Sequence, residues 1–245
     1  MFCRINNIMR ADIFLVEKRF AKTRARAEEL IKRGLVKIDG QVLVKKNKDI
    51  KNSQKVEVIG NLLYVSRGGD KLAGALLQLS LSVKDCICLD IGSSTGGFTD
   101  CLLQAGAREV YAVDVGSAQF DVTLASDSRV HLFEKMDIRD FTTEEVFDFI
   151  VGDISFISWD KVVDDVVRLS QPGTKILLLI KPQFEVGKEF NKKGIVTDEA
   201  QHALVCEKNK KLFEERGFSN VEIIPSELLG GDGNKEFFLF GEKAE

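Results

Sequence analysis

Two lysines and two acids stand along the chain at positions that suit removal of a proton from a hydroxyl group. Lys181 ends a long apolar run, ILLLIKPQFE, so a strand there would leave its amine half inside the fold. Lys71, Asp153 and Glu236 stand in SRGGDKL, FIVGDISFIS and GGDGNKEFFLF. The ordinary pKa of a lysine is about 10.4, and enzymes lower it to roughly 7–8 by burial and neighbouring cations. Lys181 is therefore a candidate general base, although Lys181 and Glu236 taken singly also fit ordinary strand-end charges with local partners.

A glycine-rich stretch, CLDIGSSTGGFTDCLL, joins an apolar run to a helical pattern. Asp90 ends the run, and Gly92, Gly96 and Gly97 follow in the order D-x-G-x-x-x-G-G. This order differs from the G-x-G-x-x-G that brings a dinucleotide pyrophosphate to a helix N-terminus. A strand-to-helix turn of this kind usually holds a ligand, but a tight turn without a ligand fits the same letters.

Acidic residues also end the next two predicted strands. Asp114 closes VYAVDVG, where a carboxylate can accept both hydroxyls of a ribose, and Asp137 in KMDIRD can accept from an adenine amino group. Three acids would repel a phosphate, so these strand ends predict a nucleoside pocket without one. Any one of the aspartates could instead be a helix N-cap or a turn residue. The expected pocket residues are Asp90, Gly92, Ser93, Gly96, Gly97, Phe98, Asp114, Asp137 and Asp153.

The elements that must position these residues alternate between strand and helix after about Ser66. Strands are predicted near 86–90, 109–115, 130–134, 147–152, 174–181, 219–225 and 236–242. The alternation predicts an α/β fold with a doubly wound, mostly parallel seven-stranded sheet, in which ligands bind beyond the carboxyl ends of the strands. The long connection from Gln183 to Val196 is typical of a lid over such a site.

The N-terminal quarter differs in both pattern and charge. Helical spacing covers 10–19 and 23–33, a hairpin is indicated around Asp39-Gly40, and a further strand at 54–59 completes a small α+β unit. Residues 1–60 hold 15 Lys and Arg against 7 Asp and Glu, whereas the remainder holds 20 against 31. Such a basic segment indicates a surface for nucleic-acid backbone, although a basic helix face is often only solvated.

The order TRARAEELIKRGLVKIDG resembles the alpha-L RNA-binding motif, which is found in a small-subunit ribosomal protein, pseudouridine synthases and tyrosyl-tRNA synthetases. The matches are Arg24, Ala27, Ile31, Gly34, Val36 and the Ile38-Asp39-Gly40 turn. The resemblance implies that this part of the chain grips structured RNA through phosphate contacts. The candidate contacts are Arg24, Arg26, Lys32, Arg33, Lys45 and Lys46.

The three strand-end acids resemble the pocket of class I methyltransferases, which bind S-adenosylmethionine. The order Lys71, Asp153, Lys181, Glu236 resembles the Lys-Asp-Lys-Glu tetrad of FtsJ-like ribose 2′-O-methyltransferases, which implies that Lys181 accepts the 2′-hydroxyl proton. Asp153 and Lys71 would then position Lys181, and Glu236 would complete the network.

The whole chain resembles the TlyA (hemolysin A) family of ribosomal RNA methyltransferases, which methylate the ribose of cytidine. That resemblance implies an alpha-L domain at 1–62, a linker at 63–69 and an FtsJ-like domain at 70–245. Residues 1–8 precede the first helical pattern, which fits either a disordered tail or an early start codon. The implied partners are ribosomal RNA or ribosomal subunits, and neither DNA nor a membrane is expected.

Composition limits the classes of protein to which the chain can belong. No apolar run approaches the roughly 20 residues of a membrane span, and the first ten residues do not resemble a secretory signal, so a cytoplasmic protein is expected. Five cysteines without a second pair or a histidine cluster predict no metal site. Two other functions stay open. One is a membrane-active haemolysin, although such a protein needs an amphipathic or spanning segment and the sequence shows neither. The other is a non-catalytic RNA-binding assembly factor.

Overall fold

The computed structural model describes residues 8–21, 23–60, 62–187 and 194–245, and it divides into two compact units. The first unit comprises residues Met1–Ser66 and the second comprises Arg67–Glu245. The first helix of the second unit begins at Arg67, so residues 67–69 of the predicted linker are helical. Each unit has its own apolar core and is described by itself.

The first unit has two helices and two small antiparallel sheets. Its elements are β1 (Ile8–Arg10), α1 (Ala11–Glu17), α2 (Arg24–Lys32), β2 (Val36–Ile38), β3 (Gln41–Val42), β4 (Asp49–Lys51) and β5 (Val56–Val58). Strand β1 pairs with β4, and β2 lies between β3 and β5. The hairpin turn between β2 and β3 places Asp39 and Gly40 at φ of 50° and 82°, which is the geometry that a two-residue hairpin with a primed turn requires. The predicted hairpin is therefore present at the expected residues.

The second unit alternates strands and helices as the sequence pattern predicts. Its helices are α3 (Arg67–Gln78), α4 (Gly97–Gln104), α5 (Val122–Ala125), α6 (Val163–Arg168), α7 (Pro182–Glu185) and α8 (Glu199–Glu215), with a 3₁₀ turn at Trp159–Lys161. Its strands are β6 (Ile87–Ile91), β7 (Glu109–Asp114), β8 (Val130–Glu134), β9 (Phe149–Gly152), β10 (Lys175–Ile180), β11 (Phe218–Pro225) and β12 (Phe237–Lys243).

These seven strands form one sheet in the order β11-β12-β10-β9-β6-β7-β8. Strand β12 runs antiparallel to both of its neighbours, and the other pairs in the sheet are parallel. Strands β9 and β10 are almost wholly buried, as expected for central parallel strands covered on both faces. The predicted mostly parallel seven-stranded sheet is confirmed, and each predicted strand end lies within two residues of the observed one.

The sheet topology places the ends of several strands at one edge of the second unit. Parallel β6, β9 and β10 all end at the same edge, and because β12 is antiparallel, its first residue lies there too. Ile180 at the end of β10 pairs with Phe237 at the start of β12. Lys181 directly follows β10, and Glu236 directly precedes β12. Both therefore lie at this carboxyl edge.

Candidate active site

The four residues predicted to handle a proton form two ion pairs at this carboxyl edge. Lys181 Nζ lies 2.6 Å from Asp153 Oδ1, and Lys71 Nζ donates a 2.5 Å hydrogen bond to Glu236 Oε2. Lys71 and Glu236 are only 8% and 3% exposed, so water screens their attraction poorly. Helix α3 presents Lys71, while β9, β10 and β12 place the other three within one residue of a strand end.

The amine of Lys181 has further neighbours that the sequence did not single out. It donates a 2.6 Å hydrogen bond to Ser155 Oγ, and it lies 6.0 Å from the centre of the Phe184 ring. Phe156 follows Ser155 with φ of 68°, a strained conformation for a bulky residue. Its side chain is 91% exposed and touches the Phe184 ring at a centroid distance of 5.1 Å.

An exposed aromatic ring one residue from Ser155 is a surface on which a nucleobase can stack. Sequence reasoning missed Phe156 because nothing in the letters DISFIS separates an exposed phenylalanine from a buried one. The available signal was its place, three residues after a candidate catalytic acid at a strand end.

The predicted nucleoside pocket is built around a fully buried carboxylate. Asp90 is 0% exposed, and its Oδ2 accepts a 2.6 Å hydrogen bond from Thr99 Oγ1 on the first turn of α4. Asp90 Oδ1 and the buried Ser93 Oγ have no hydrogen-bond partner within the described residues. Buried polar atoms without partners are rare, and their presence here fits a ligand that carries positive charge and hydrogen-bond donors.

Burial and the negative charges of Asp153 and Asp114 raise the pKa of Asp90 to about 7, against a smaller lowering effect of the Thr99 hydrogen bond. A cation bound beside Asp90 would reverse this rise, because it favours the ionised carboxylate. A positively charged group is therefore the ligand chemistry that the Asp90 carboxylate favours.

The glycines of this stretch keep its backbone close to neighbouring segments. Gly92 and Gly96 have φ of 80° and 91°. A Cβ on Gly92 would lie 3.0 Å from the carbonyl oxygen of Asp153, and one on Gly96 would lie 2.8 Å from the Leu124 side chain. Gly97 begins α4 and is buried. The turn therefore brings the end of β6 against the loop that carries Asp153.

Asp114 and Phe98, two other predicted pocket residues, make contacts within the protein. Asp114 ends β7 as expected, and its carboxylate accepts hydrogen bonds from the backbone of Ser94 at 2.7 Å and of Gly116 at 2.6 Å. These bonds draw the glycine-rich turn onto the end of β7. The ring of Phe98 is buried and stacks on Phe238 at 6.1 Å, so a contact with the nucleoside would fall to its backbone.

Asp137 is engaged by a neighbour rather than left open. Both of its carboxylate oxygens accept from the Arg139 guanidinium, at 2.9 and 2.7 Å. The hydrogen bond from Arg139 lowers the pKa of Asp137 below its ordinary value and outweighs the effect of burial. A contact between Asp137 and an adenine amino group stays a prediction, and it must share the carboxylate with Arg139.

The predicted RNA contacts of the first unit divide into two groups. Arg24 binds the buried carboxylate of Asp12 at 2.8 Å, and Arg26 donates to the backbone carbonyls of Leu62, at 2.7 Å, and Tyr64. These two guanidinium groups have a structural use that the sequence pattern did not reveal. Four other candidates lie nearer the surface: Arg33 and Lys46 pair with Glu29 and Glu28, and Lys32 and Lys45 are exposed.

Replacing Arg24 by alanine should lower the stability of the first unit, because Asp12 is buried and its carboxylate accepts hydrogen bonds from Arg24 and Arg10. Burial alone would raise the pKa of Asp12, but these arginines hold it below its ordinary value. We expect a loss of about 2 kcal/mol for Arg24→Ala, measured by denaturant unfolding followed in the first unit. Lys45→Ala, at an exposed position, is the matched control and should change stability by less than about 0.5 kcal/mol. Equal stability of the two variants would contradict this role of Arg24.

Among residues 8–21, 23–60, 62–187 and 194–245, no group of histidine, cysteine and acidic side chains is arranged to hold a metal ion. In the same ranges, no helix is long and apolar enough to cross a membrane. Of the predicted lid, Gln183–Glu185 is helical and residues 188–193 lie outside the described residues.

The sheet order and the strand-end site define a methyltransferase fold, and comparison with known proteins gives the family. Residues 64–243 match the FtsJ-like methyltransferase family, and residues 9–54 match the S4 domain. The chain belongs to the FtsJ-like methyltransferases that carry an N-terminal S4 domain, the family that includes the TlyA proteins.

Named relatives cover nearly the whole chain. It is 43% identical to YqxC of Bacillus subtilis, over 94% of this chain and 84% of that protein. It is 38% identical to the 16S/23S rRNA (cytidine-2′-O)-methyltransferase TlyA of Mycobacterium tuberculosis, over 94% and 88%. A solved structure from Streptococcus thermophilus, described by the term hemolysin, matches with a TM-score of 0.77 and 37% identity over 97% of this chain and 89% of that one.

Proposed function

We propose that this protein transfers a methyl group from S-adenosylmethionine to a ribose 2′-hydroxyl of ribosomal RNA, with Lys181 as the general base. The observation that carries the proposal is the meeting of Lys71, Asp153, Lys181 and Glu236 as two ion pairs at one edge of the sheet. The name of the Mycobacterium tuberculosis relative supports cytidine as the target nucleoside.

The pocket around Asp90 is the proposed cofactor site. Bound S-adenosylmethionine would supply an electrophilic methyl group on a positively charged sulfur. Asp90 Oδ1 and Ser93 Oγ are buried and have no protein partner within the described residues, so they are available to a ligand that carries donors. Asp114, at the end of the adjacent strand β7, is the proposed acceptor for the ribose hydroxyls of the cofactor.

The chemistry left to the protein is orientation of the acceptor ribose and removal of its proton. A ribose hydroxyl is a poor nucleophile near neutral pH, so a base that takes its proton accelerates attack on the methyl carbon. The Lys181 amine accepts that proton, and Asp153 stabilises the ammonium that results. Lys71 and Glu236 form the second ion pair at the same edge of the sheet, and we place this pair beside the acceptor ribose.

The first unit is the proposed RNA-recognition element. Its S4 match and its surplus of lysine and arginine support binding to folded RNA by shape and phosphate contacts. The exposed candidates Lys32 and Lys45 are the proposed phosphate contacts. A target nucleotide inside an RNA helix would have to leave its stack to reach Lys181.

The direct test measures transfer of labelled methyl from S-adenosylmethionine to purified ribosomal subunits and to naked ribosomal RNA, with mapping of 2′-O-methyl groups. We expect label on a cytidine ribose with the wild-type protein and a rate of labelling about a thousandfold lower with Lys181→Ala. Lys175→Ala, at the opposite end of the same strand, is the matched control and should retain activity. Cofactor binding without methylation of any RNA would favour the non-catalytic assembly factor, and erythrocyte lysis would then be the next assay.

The exposed ring of Phe156 predicts a contribution to substrate binding. Loss of base stacking on an aromatic side chain is worth about 1–3 kcal/mol, so Phe156→Ala should lower kcat/KM for RNA by roughly 5- to 150-fold. The cofactor affinity should not change, and Phe156→Trp should restore most of the activity. Leu204→Ala removes a 61% exposed apolar side chain from α8 and is the control. Wild-type kinetics for Phe156→Ala would exclude stacking on this ring.

A further inference from the structure

The amine of Lys181 has two oxygen neighbours that hold it in different ways. Asp153 Oδ1 lies at 2.6 Å as an ion-pair partner and accepts no hydrogen bond within the described residues. Ser155 Oγ lies at the same distance of 2.6 Å and accepts a hydrogen bond from the amine. Asp153 belongs to the predicted tetrad, whereas nothing in the sequence pattern assigns Ser155 a role.

The two contacts constrain different properties of the amine. An ion pair fixes charge and approximate position but has little angular preference, whereas a hydrogen bond weakens steeply as it bends. The hydrogen bond to Ser155 therefore restricts the orientation of the Lys181 N–H bonds about the Cε–Nζ bond. We propose that Ser155 is a positioning residue, whose hydroxyl orients the Lys181 amine for proton removal; this inference rests on the proposed function.

The geometry of a neutral amine shows why this orientation matters. Such an amine carries two N–H bonds and one lone pair in a tetrahedral arrangement, so holding one N–H toward Ser155 restricts the lone pair to the two remaining directions. A base must point its lone pair at the proton that it removes, and misorientation lowers the fraction of productive encounters. The same hydroxyl oxygen also accepts from the ammonium, so the hydrogen bond persists after Lys181 has taken the proton.

The loop that carries Ser155 is fixed on both sides of this residue. The backbone N–H of Asp153 donates to Ile91 O at 2.9 Å. At the far side, the backbone N–H of Trp159 donates to the buried carboxylate of Glu185 at 2.9 Å, and its indole donates to Leu179 O at 3.0 Å. Ser155 itself is exposed. Removing its hydroxyl should therefore leave the loop and the fold in place.

The kinetic test compares Ser155→Ala, Ser155→Thr and Ser158→Ala. Ser158 lies in the same loop, but its hydroxyl bonds Asp160 instead of Lys181, which makes it a matched control. Loss of one hydrogen bond to a charged group predicts a fall of about tenfold or more in the single-turnover methyl-transfer rate of Ser155→Ala at saturating substrates. The KM for RNA and the cofactor affinity should stay within twofold, Ser155→Thr should restore the rate, and Ser158→Ala should match the wild type.

A second measurement does not need catalysis. In protein labelled with ¹⁵N-lysine, the Nζ signal of Lys181, assigned by its loss in Lys181→Ala, should report restricted rotation about Cε–Nζ in the wild type and in Ser155→Thr. Faster rotation is expected in Ser155→Ala. Equal rotation in all three proteins, or an unchanged transfer rate in Ser155→Ala, overturns the role of Ser155. Failure of the proposed function is distinct, since it would appear as no RNA methylation by the wild type, or as full activity in Lys181→Ala.

Discussion

Methyl transfer by Lys181→Ala is expected to fall by about a thousandfold, because a positioned general base typically contributes 10²- to 10⁴-fold to a rate. The variant removes the amine beside Asp153 but leaves the buried Asp90 pocket intact. Cofactor affinity should therefore stay within about threefold of the wild type. Single-turnover methylation and calorimetric titration of S-adenosylmethionine measure the two quantities separately.

Lys181→Arg separates proton removal from charge. Arginine keeps a cation beside Asp153, but its pKa above about 12 prevents it from acting as a base near neutral pH. We expect this variant to fold and bind cofactor as the wild type does and still to be inactive. Substantial turnover by Lys181→Arg would mean that the residue acts only through its charge, and a wild-type rate in Lys181→Ala would exclude Lys181 from the reaction.

The second large effect is expected at Asp90, where function and stability should change in opposite directions. Asp90→Asn removes the carboxylate that would face a cationic cofactor, and loss of one partner from a buried charged contact costs about 2–5 kcal/mol. We therefore expect cofactor affinity to fall by at least about thirtyfold at pH 8. The fold should tolerate the change, because asparagine has nearly the same shape and its amide oxygen can accept the hydrogen bond from Thr99.

Asp90→Asn should raise the stability of the cofactor-free protein, although it lowers cofactor affinity. Because the pKa of Asp90 is raised to about 7 in the folded protein, the folded state binds more protons than the unfolded state between about pH 4 and pH 7. This group therefore lowers the free energy of unfolding as the pH rises through that window. Asp90→Asn removes this contribution, so the cofactor-free variant should melt at a higher temperature than the wild type above pH 7.

Cofactor binding should show the matching linkage. A cationic ligand prefers the ionised carboxylate, so wild-type affinity should decline as the pH falls below about 7, and Asp90→Asn should lack this component. Thr99→Val, which removes the hydrogen bond that lowers the pKa of Asp90, should move the decline to higher pH. Melting curves and cofactor titrations at pH 6, 7 and 8 test all three expectations. A wild-type affinity that is the same at pH 6 and pH 8 would contradict an ionised Asp90 at the cofactor.

The sequence predicts the sheet of the second unit well because its central strands are short apolar runs bounded by turn residues. The strand Lys175–Ile180 reads KILLLI, and the chain leaves it at Lys181-Pro182, where proline cannot continue the ladder. Since strand ends meet at one edge, placing the strands also places Asp153 and Lys181 near each other. The prediction of the site thus follows from the prediction of the strands.

Long-range pairing explains what the sequence did not reveal. The use of Arg24 depends on Asp12, and the use of Arg26 depends on carbonyls at residues 62 and 64, and no local pattern announces either partner. The role of Ser155 depends on an amine 26 positions later in the chain. Phe156 is exposed and has a backbone φ of 68°, and neither property is visible in the letters around it.

The bond between Lys71 and Glu236 joins residues 165 positions apart, through a strand that enters the sheet against the direction of its neighbours. A contact of such large sequence separation stabilises the fold only after the entropy of closing the intervening chain has been overcome, so we expect it to form late in folding. A partly folded molecule that lacks β12 would bury the Lys71 charge without its partner. Methyl-transfer activity should therefore return only in the final cooperative step of refolding. The rate at which activity recovers would then report the rate at which the antiparallel strand β12 joins the sheet.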